Sequence, residues 1–370
     1  MAGKSSRVAA PCRIAAVLIL VFLTDELPAA PVAMDGPAAE SASSPSSVTP
    51  GDITVGPEGD LWFPEMGTNR IGTITTTGLL FRELTVPGAA ALGRVIAAGP
   101  DGKVWVLGFG LDARVHVWEA ETSGVVQEVA LLGDSPAPGL GFLPAGITAG
   151  PDGNMWVSNF AEILRVSPAG QIRRFPVDAY AIAGSITAGP DGNLWFVDSI
   201  GPFAARRQGL CRMTLDGAID RVLYRQERQG TSWPSSIVTG PDGNLWFADS
   251  GYSEVVRVTA NPVSSTVYPL VGPSELAAGP DGNIWVTVPG RRTVARLTST
   301  GLLTEFELPT SRSNPSGIVA APDGNLWFTE TENGVIGRIT PDGVITEFAI
   351  GSVPRIPIHP SRISRVVGSR

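Results

Sequence analysis

Cysteine and histidine are nearly missing from this 370-residue chain, which holds two of each. Cys12 falls inside an N-terminal segment with the features of a secretory signal, so an exported mature chain keeps Cys211 alone. That excludes an intramolecular disulfide, and stability must come from packing. Clusters of Lys and Arg are also lacking, and the net charge is -8. Phosphate binding needs concentrated positive charge, so this balance argues against nucleic acid as a partner. Nor is there a long hydrophobic run. The apolar stretch "IAAVLILVFLT" from Ile14 is too short to span a bilayer comfortably. It follows Lys4, Arg7 and Arg13 and precedes "PAAPVA", the order of a signal peptide, so residues 1–35 are assigned to one. Asp25 and Glu26 follow the run closely, which keeps an uncleaved anchor as the alternative. The expected location is secreted, periplasmic or cell envelope, with membrane contact only through this segment. Residues 36–50, "GPAAESASSPSSVTP", read as a Pro/Ala/Ser linker with too few apolar residues to fold.

What is abundant is apolar and turn-forming. Hydrophobic residues make up 43%, charged residues only 17%, and there are 44 Gly and 32 Pro, the composition of a turn-rich globular chain. "GPDGNLWF" occurs at residues 189–196 and again at 240–247, with "APDGNLWF" at 321–328 and looser copies starting at Gly56, Gly99, Gly150 and Gly279. The tryptophans of these seven copies, Trp62, Trp105, Trp156, Trp195, Trp246, Trp285 and Trp327, are spaced by 43, 51, 39, 51, 39 and 42 residues. A period of this size marks a repeat architecture and overrides the two or three domains that length alone suggests.

The last unit shows what one repeat builds. "GIVAA" and "NLWFTE" flank Pro322, Asp323 and Gly324, and "VIGRIT" and "VITEFAI" flank Pro341, Asp342 and Gly343. Proline presets the first turn position and glycine accepts positive φ, so both are hairpins. Four short antiparallel strands cannot bury both faces alone, whereas seven such sheets arranged radially cover one another. The expected fold is therefore all-β, a seven-bladed β-propeller of four-stranded antiparallel blades over residues 51–350. Its tryptophans act as wedges between neighbours. Trp is followed by Phe or Val and never by Asp, which disfavours WD repeats. Arg165, Arg212, Arg257, Arg296 and Arg338 recur on third strands, with Glu305 and Glu347 on fourth strands, and read as cross-strand charge pairs. Residues 351–370 form a basic C-terminal tail.

Strand order puts the loops that enter first strands, and those that join second to third strands, on one open face around the channel. The PDG turns lie on the other. Two rings of positions line that face. The first is Gly51, Arg94, Ala145, Gly184, Ser235, Ser274 and Ser316; the second, three residues after each Trp, is Glu65, Gly108, Asn159, Asp198, Asp249, Val288 and Glu330. Glu65, Asp198, Asp249 and Glu330 are candidate ligands for Mg2+ or Ca2+, which want several oxygens. The alternative is that they accept hydrogen bonds from loop backbone. Arg94, Ser235, Ser274 and Ser316, with Trp233 and Tyr252 on neighbouring loops, form a candidate ligand-binding face for a small molecule, glycan or peptide. His116, on a third strand, and His359, in the tail, lie outside both rings, and the serines have no adjacent histidine base.

"GPDGNLWFTE", "GVIGRITPDGVITEFAI" and "NPSGIVAAPDGNLWF" resemble streptogramin B (virginiamycin B) lyases and, more loosely, NHL-type propellers. The resemblance implies a propeller that opens the lactone of streptogramin B antibiotics by elimination, with histidines, a glutamate and Mg2+. Family histidines stand in a Pro-His-Gly-Ile context before an inner strand. The matching stretches here are "PAGI" at Pro144, "PSSI" at Pro234, "PSEL" at Pro273 and "PSGI" at Pro315, which put Ala145, Ser235, Ser274 and Ser316 at the histidine position. Two residues earlier, where the family glutamate precedes one histidine, stand Leu143, Trp233, Gly272 and Asn314. The expectation is thus a binding module on the family fold that lacks the catalytic His/Glu set. The alternative is a metal-assisted carbon-oxygen lyase or lactonase built on the four carboxylates.

Overall fold

The computed structural model describes residues 48–350, except 79–80, 134–143, 160–161, 178–180, 201–206, 225–233 and 261–262. The segment read as a signal (residues 1–35), most of the expected linker, the tail and Trp233 lie outside the described residues. Seven four-stranded antiparallel sheets, each of four consecutive strands, form a seven-bladed β-propeller. The blades span residues 54–85, 89–133, 144–176, 181–224, 234–269, 276–307 and 315–349. Among the described residues there is no α-helix, only a 3-10 turn at Pro289–Arg291.

The repeated octapeptide is the inner hairpin of each blade. Its turn needs glycine: Gly324 sits at φ 79°, where a side chain is strained. Its aspartate has a second task that the turn alone does not reveal. In blades 2 to 7 the Asp carboxylate accepts the indole N–H of the Trp four residues on, as in Trp195 to Asp191 at 2.9 Å and Trp246 to Asp242 at 3.0 Å. The glycine before Pro matters for the same ring, because a Cβ at Gly240 would stand 2.4 Å from Trp246 Cδ1. Blade 1 carries Glu58 where the others carry Asp, and Trp62 Nε1 is buried with no hydrogen-bond partner among the described residues.

The wedge reading of the tryptophans holds. Trp156 packs with Leu194, Phe196 and Met213 of the next blade, Trp246 with Leu276, Ile284 and Val286, and Trp327 with Leu61 and Phe63 of blade 1. The last of these clusters closes the ring without any exchange of strands, assisted by Thr329 Oγ1, which donates to Gly51 O at 2.7 Å. Val48 and Pro50, placed in the linker by sequence, are built into this seam: Val48 is in the cluster and Pro50 bridges to Glu65.

The arginines do not pair with fourth-strand glutamates. Arg165, Arg212 and Arg257 bind the turn aspartates Asp152, Asp191 and Asp242 of their own blades at 2.5 to 2.7 Å. Arg296 and Arg338 lie over the stacked rings Trp285/Phe306 and Trp327/Phe348. Glu305 pairs with Arg291, and Glu347 accepts from Thr310. The reason is register: Arg faces the second-strand Trp directly across the sheet (Trp246↔Arg257), whose indole already points at the turn aspartate.

Candidate functional site

The first strands converge on a central cavity of about 170 Å3, lined by Asp52, Ser185, Ser235, Ser236, Glu275 and Gly317 among others. Its walls are made where Ser and Gly let neighbouring first strands approach closely. Ser235 Oγ donates to Ser274 O at 2.6 Å, Ser236 Oγ accepts from Leu276 N at 3.1 Å and Ser185 Oγ accepts from Ile237 N at 3.3 Å. Gly317 is required by proximity, since a Cβ there would meet Asp52 Cα at 2.7 Å.

One charged group ties two walls of this cavity together. Arg94, on the first strand of blade 2, binds Asp52 Oδ1 of blade 1 through Nε at 3.0 Å and Nη2 at 2.7 Å. The same Nη2 reaches Glu275 Oε1 of blade 6 at 2.8 Å, on the far side of the ring. Asp52, and then Glu275, hold the guanidinium charged more firmly than usual. Burial pushes the Glu275 carboxyl up to about 7; Arg94 pulls it down, and Asp52 adds to the rise. Glu275 keeps 20% of its side-chain surface accessible, so water reaches it.

Of the expected ligand-binding residues, Ser235 lines the cavity and Arg94 is bonded to two of its lining carboxylates, Asp52 and Glu275. Ser274 and Ser316 present backbone carbonyls to Ser235 and Thr287 and do not line it. Tyr252 lies on the loop after Asp249 and gives its backbone N–H to that carboxylate at 3.1 Å. Asp52 and Glu275 escaped sequence reasoning. Their signal was the residue after the first ring, which reads Asp52, Val95, Gly146, Ser185, Ser236, Glu275 and Gly317. "PSEL" puts a glutamate where "PSGI" and "PAGI" have glycine.

The proposed metal set does not assemble. Glu65, Asp198, Asp249 and Glu330 are buried in four separate blades. Asp198 accepts from Arg221, Asp249 from the loop N–H groups of Gly251 and Tyr252, and Glu330 from Asn333. Burial, with Glu347 nearby, pushes Glu330 up to about 7. Among the described residues no three His, Cys, Asp or Glu are grouped to hold a metal ion. The described residues therefore do not fit the Mg2+ that the resemblance implies. The physical reason is direction: side chains three residues after Trp point into the blade, where they satisfy loop backbone and neighbouring side chains. His116 is likewise committed, between Asp112 at 2.9 Å and Glu128 at 2.8 Å, stacked on Trp118.

A family profile described as the Virginiamycin B lyase family matches residues 132–359. The chain belongs to that family. Among solved structures, a streptogramin B lyase aligns with TM-score 0.66 and 24% identity, over 82% of this chain and 95% of that one. Virginiamycin B lyase from Staphylococcus aureus aligns with TM-score 0.64 and 25% identity, over 77% and 93%. A catalytically inactive variant of the latter, with quinupristin, gives TM-score 0.64 and 25% identity, over 77% and 92%. No match is found among curated proteins. Within the virginiamycin B lyase family fold, then, the channel end of this chain carries an Arg/Asp/Glu bridge.

Proposed function

We propose that this member of the virginiamycin B lyase family is an exported binding module that takes a small molecule, glycan or peptide at the open end of its channel and does not open streptogramin rings. The observation that supports this best is the use made of the positions where the resemblance expects histidines. Ser235 spends its hydroxyl on joining blade 5 to blade 6, and the carbonyls of Ser274 and Ser316 receive the same kind of contact. Proton abstraction needs a free base within hydrogen-bond reach of the substrate. The carboxylates that do line the cavity, Asp52 and Glu275, are instead tied to Arg94. Export rests on the N-terminal signal pattern.

The test is incubation of the purified protein with a streptogramin B antibiotic, with Mg2+ and with EDTA, followed by chromatography and mass spectrometry. Unchanged retention and mass in every condition is the expected result. A Mg2+-dependent change in retention at constant mass means elimination, and a gain of one water means a lactonase; either overturns the proposal.

A further inference from the structure

We infer that Arg94 is a proton-controlled latch for a carboxylate ligand in the channel: Glu275 holds it across the cavity, and protonation of Glu275 from solvent frees its two-donor end for the ligand. This deepens the binding-module reading and rests on the channel being the ligand site.

The two donor edges of the Arg94 guanidinium are used differently. The side formed by Nε and Nη2 is committed to Asp52 Oδ1. The end formed by Nη1 and Nη2 is half used: Nη2 gives its other N–H to Glu275 Oε1, and Nη1 makes no hydrogen bond to the described residues. The Arg94 side chain is 45% exposed, the most open of the three. When Glu275 lets go, that end becomes a planar pair of parallel donors, which matches the two oxygens of a carboxylate.

Charge decides when this can happen. With Glu275 ionised, two carboxylates face one guanidinium and the bridge carries a net negative charge, which repels another carboxylate. With Glu275 protonated the bridge is neutral and the donor end is open. Protonation and carboxylate binding therefore favour each other, and by linkage the coupling is reciprocal. Glu275 faces Arg94 from blade 2 and Asp52 from blade 1; the remaining group acting on it is the neutral Ser236 hydroxyl from blade 5. Within its own blade, Thr287 Oγ1 takes the Glu275 backbone N–H at 3.0 Å. No further cation competes for the carboxylate among these groups. Its titration near 7 puts the latch within the ordinary range of external pH.

Space is consistent with a small ligand head. The cavity of about 170 Å3 is flanked by Gly146 and Gly317 and holds several waters' worth of volume. The experiment is titration calorimetry of the full protein with N-acetylalanine at pH 6 and pH 8, in two buffers of different ionisation heat. The expected result is binding roughly tenfold tighter at pH 6, with net proton uptake. Glu275→Gln, which mimics the protonated form, should bind equally at both pH values and as tightly as wild type at pH 6. Arg94→Lys should lose at least about tenfold at pH 6, because an ammonium cannot present the fork. Equal wild-type affinity at both pH values overturns the latch while leaving the binding module standing. Absence of binding by both wild type at pH 6 and Glu275→Gln overturns the carboxylate site. Turnover of streptogramin, by contrast, would remove the functional reading without touching the pH comparison.

Discussion

At the turn end of the inner hairpins, six of the seven blades carry the same Pro-Asp-Gly turn and the same indole-to-aspartate bond. At the channel end, no two blades carry the same pair of residues: Gly51–Asp52, Arg94–Val95, Ala145–Gly146, Gly184–Ser185, Ser235–Ser236, Ser274–Glu275 and Ser316–Gly317. Both ends belong to the same strands. The difference is in what they face. Each Trp faces the next blade, and that kind of environment recurs around the ring, so one solution is written repeatedly. The second residue of each pair lines a single shared cavity, where seven positions can divide the work among them. The bridge from Arg94 to Asp52 and Glu275 is such a division, since it needs one cation and two acids and no more.

The repeated end is the more sensitive of the two to substitution. Trp246→Ala should cost about 3 to 5 kcal/mol in denaturant unfolding, as removal of a fully buried ring from an inter-blade core does; a loss below about 1 kcal/mol would mean the wedge is not what joins the blades. Asp242→Ala should cost about 1 to 3 kcal/mol, because it strips partners from both Trp246 and Arg257. Burial disfavours the charged form of Asp242, but its bonds from Trp246, Arg257 and Asn244 outweigh this and hold the carboxyl below its usual range. Its contribution is therefore complete above the usual carboxylate pKa and disappears as pH falls through the lowered one. Wild type and variant should converge in stability in acid, which unfolding curves at neutral pH and below about pH 3 would show.

A smaller and opposite effect is expected in blade 1. Glu58→Asp restores the turn of the other blades and offers Trp62 Nε1 an acceptor, for a gain of about 0.5 to 1.5 kcal/mol. A variant no more stable than wild type would show that the longer side chain is not the cause of the unpaired indole.

Much of the fold was legible because packing repeats. The period of the tryptophans, the turn residues and the alternation between hairpins each pointed to seven four-stranded blades. The arginines were placed on the correct strands but given the wrong partners, since Arg257 lies across from Trp246 and so comes within reach of that blade's turn aspartate. The channel was harder. Arg94 and Ser235 stood out as first-ring positions, whereas Asp52 and Glu275 sit one residue further along, and nothing local shows which side of a strand faces the cavity.

By itself, then, the sequence determined the repeat, the blade topology, the wedge tryptophans and the absence of histidines from the positions where the family resemblance expects them, because all of these are local or periodic. Tertiary structure alone decided that Thr329 and Gly51 meet at the seam, that four carboxylates three residues after Trp stay apart, and that Arg94 and Glu275, 181 residues apart in the chain, share a hydrogen bond. Closing the ring brings blades 2 and 6 face to face across the channel, and no periodicity along the chain encodes which side chains then come within reach.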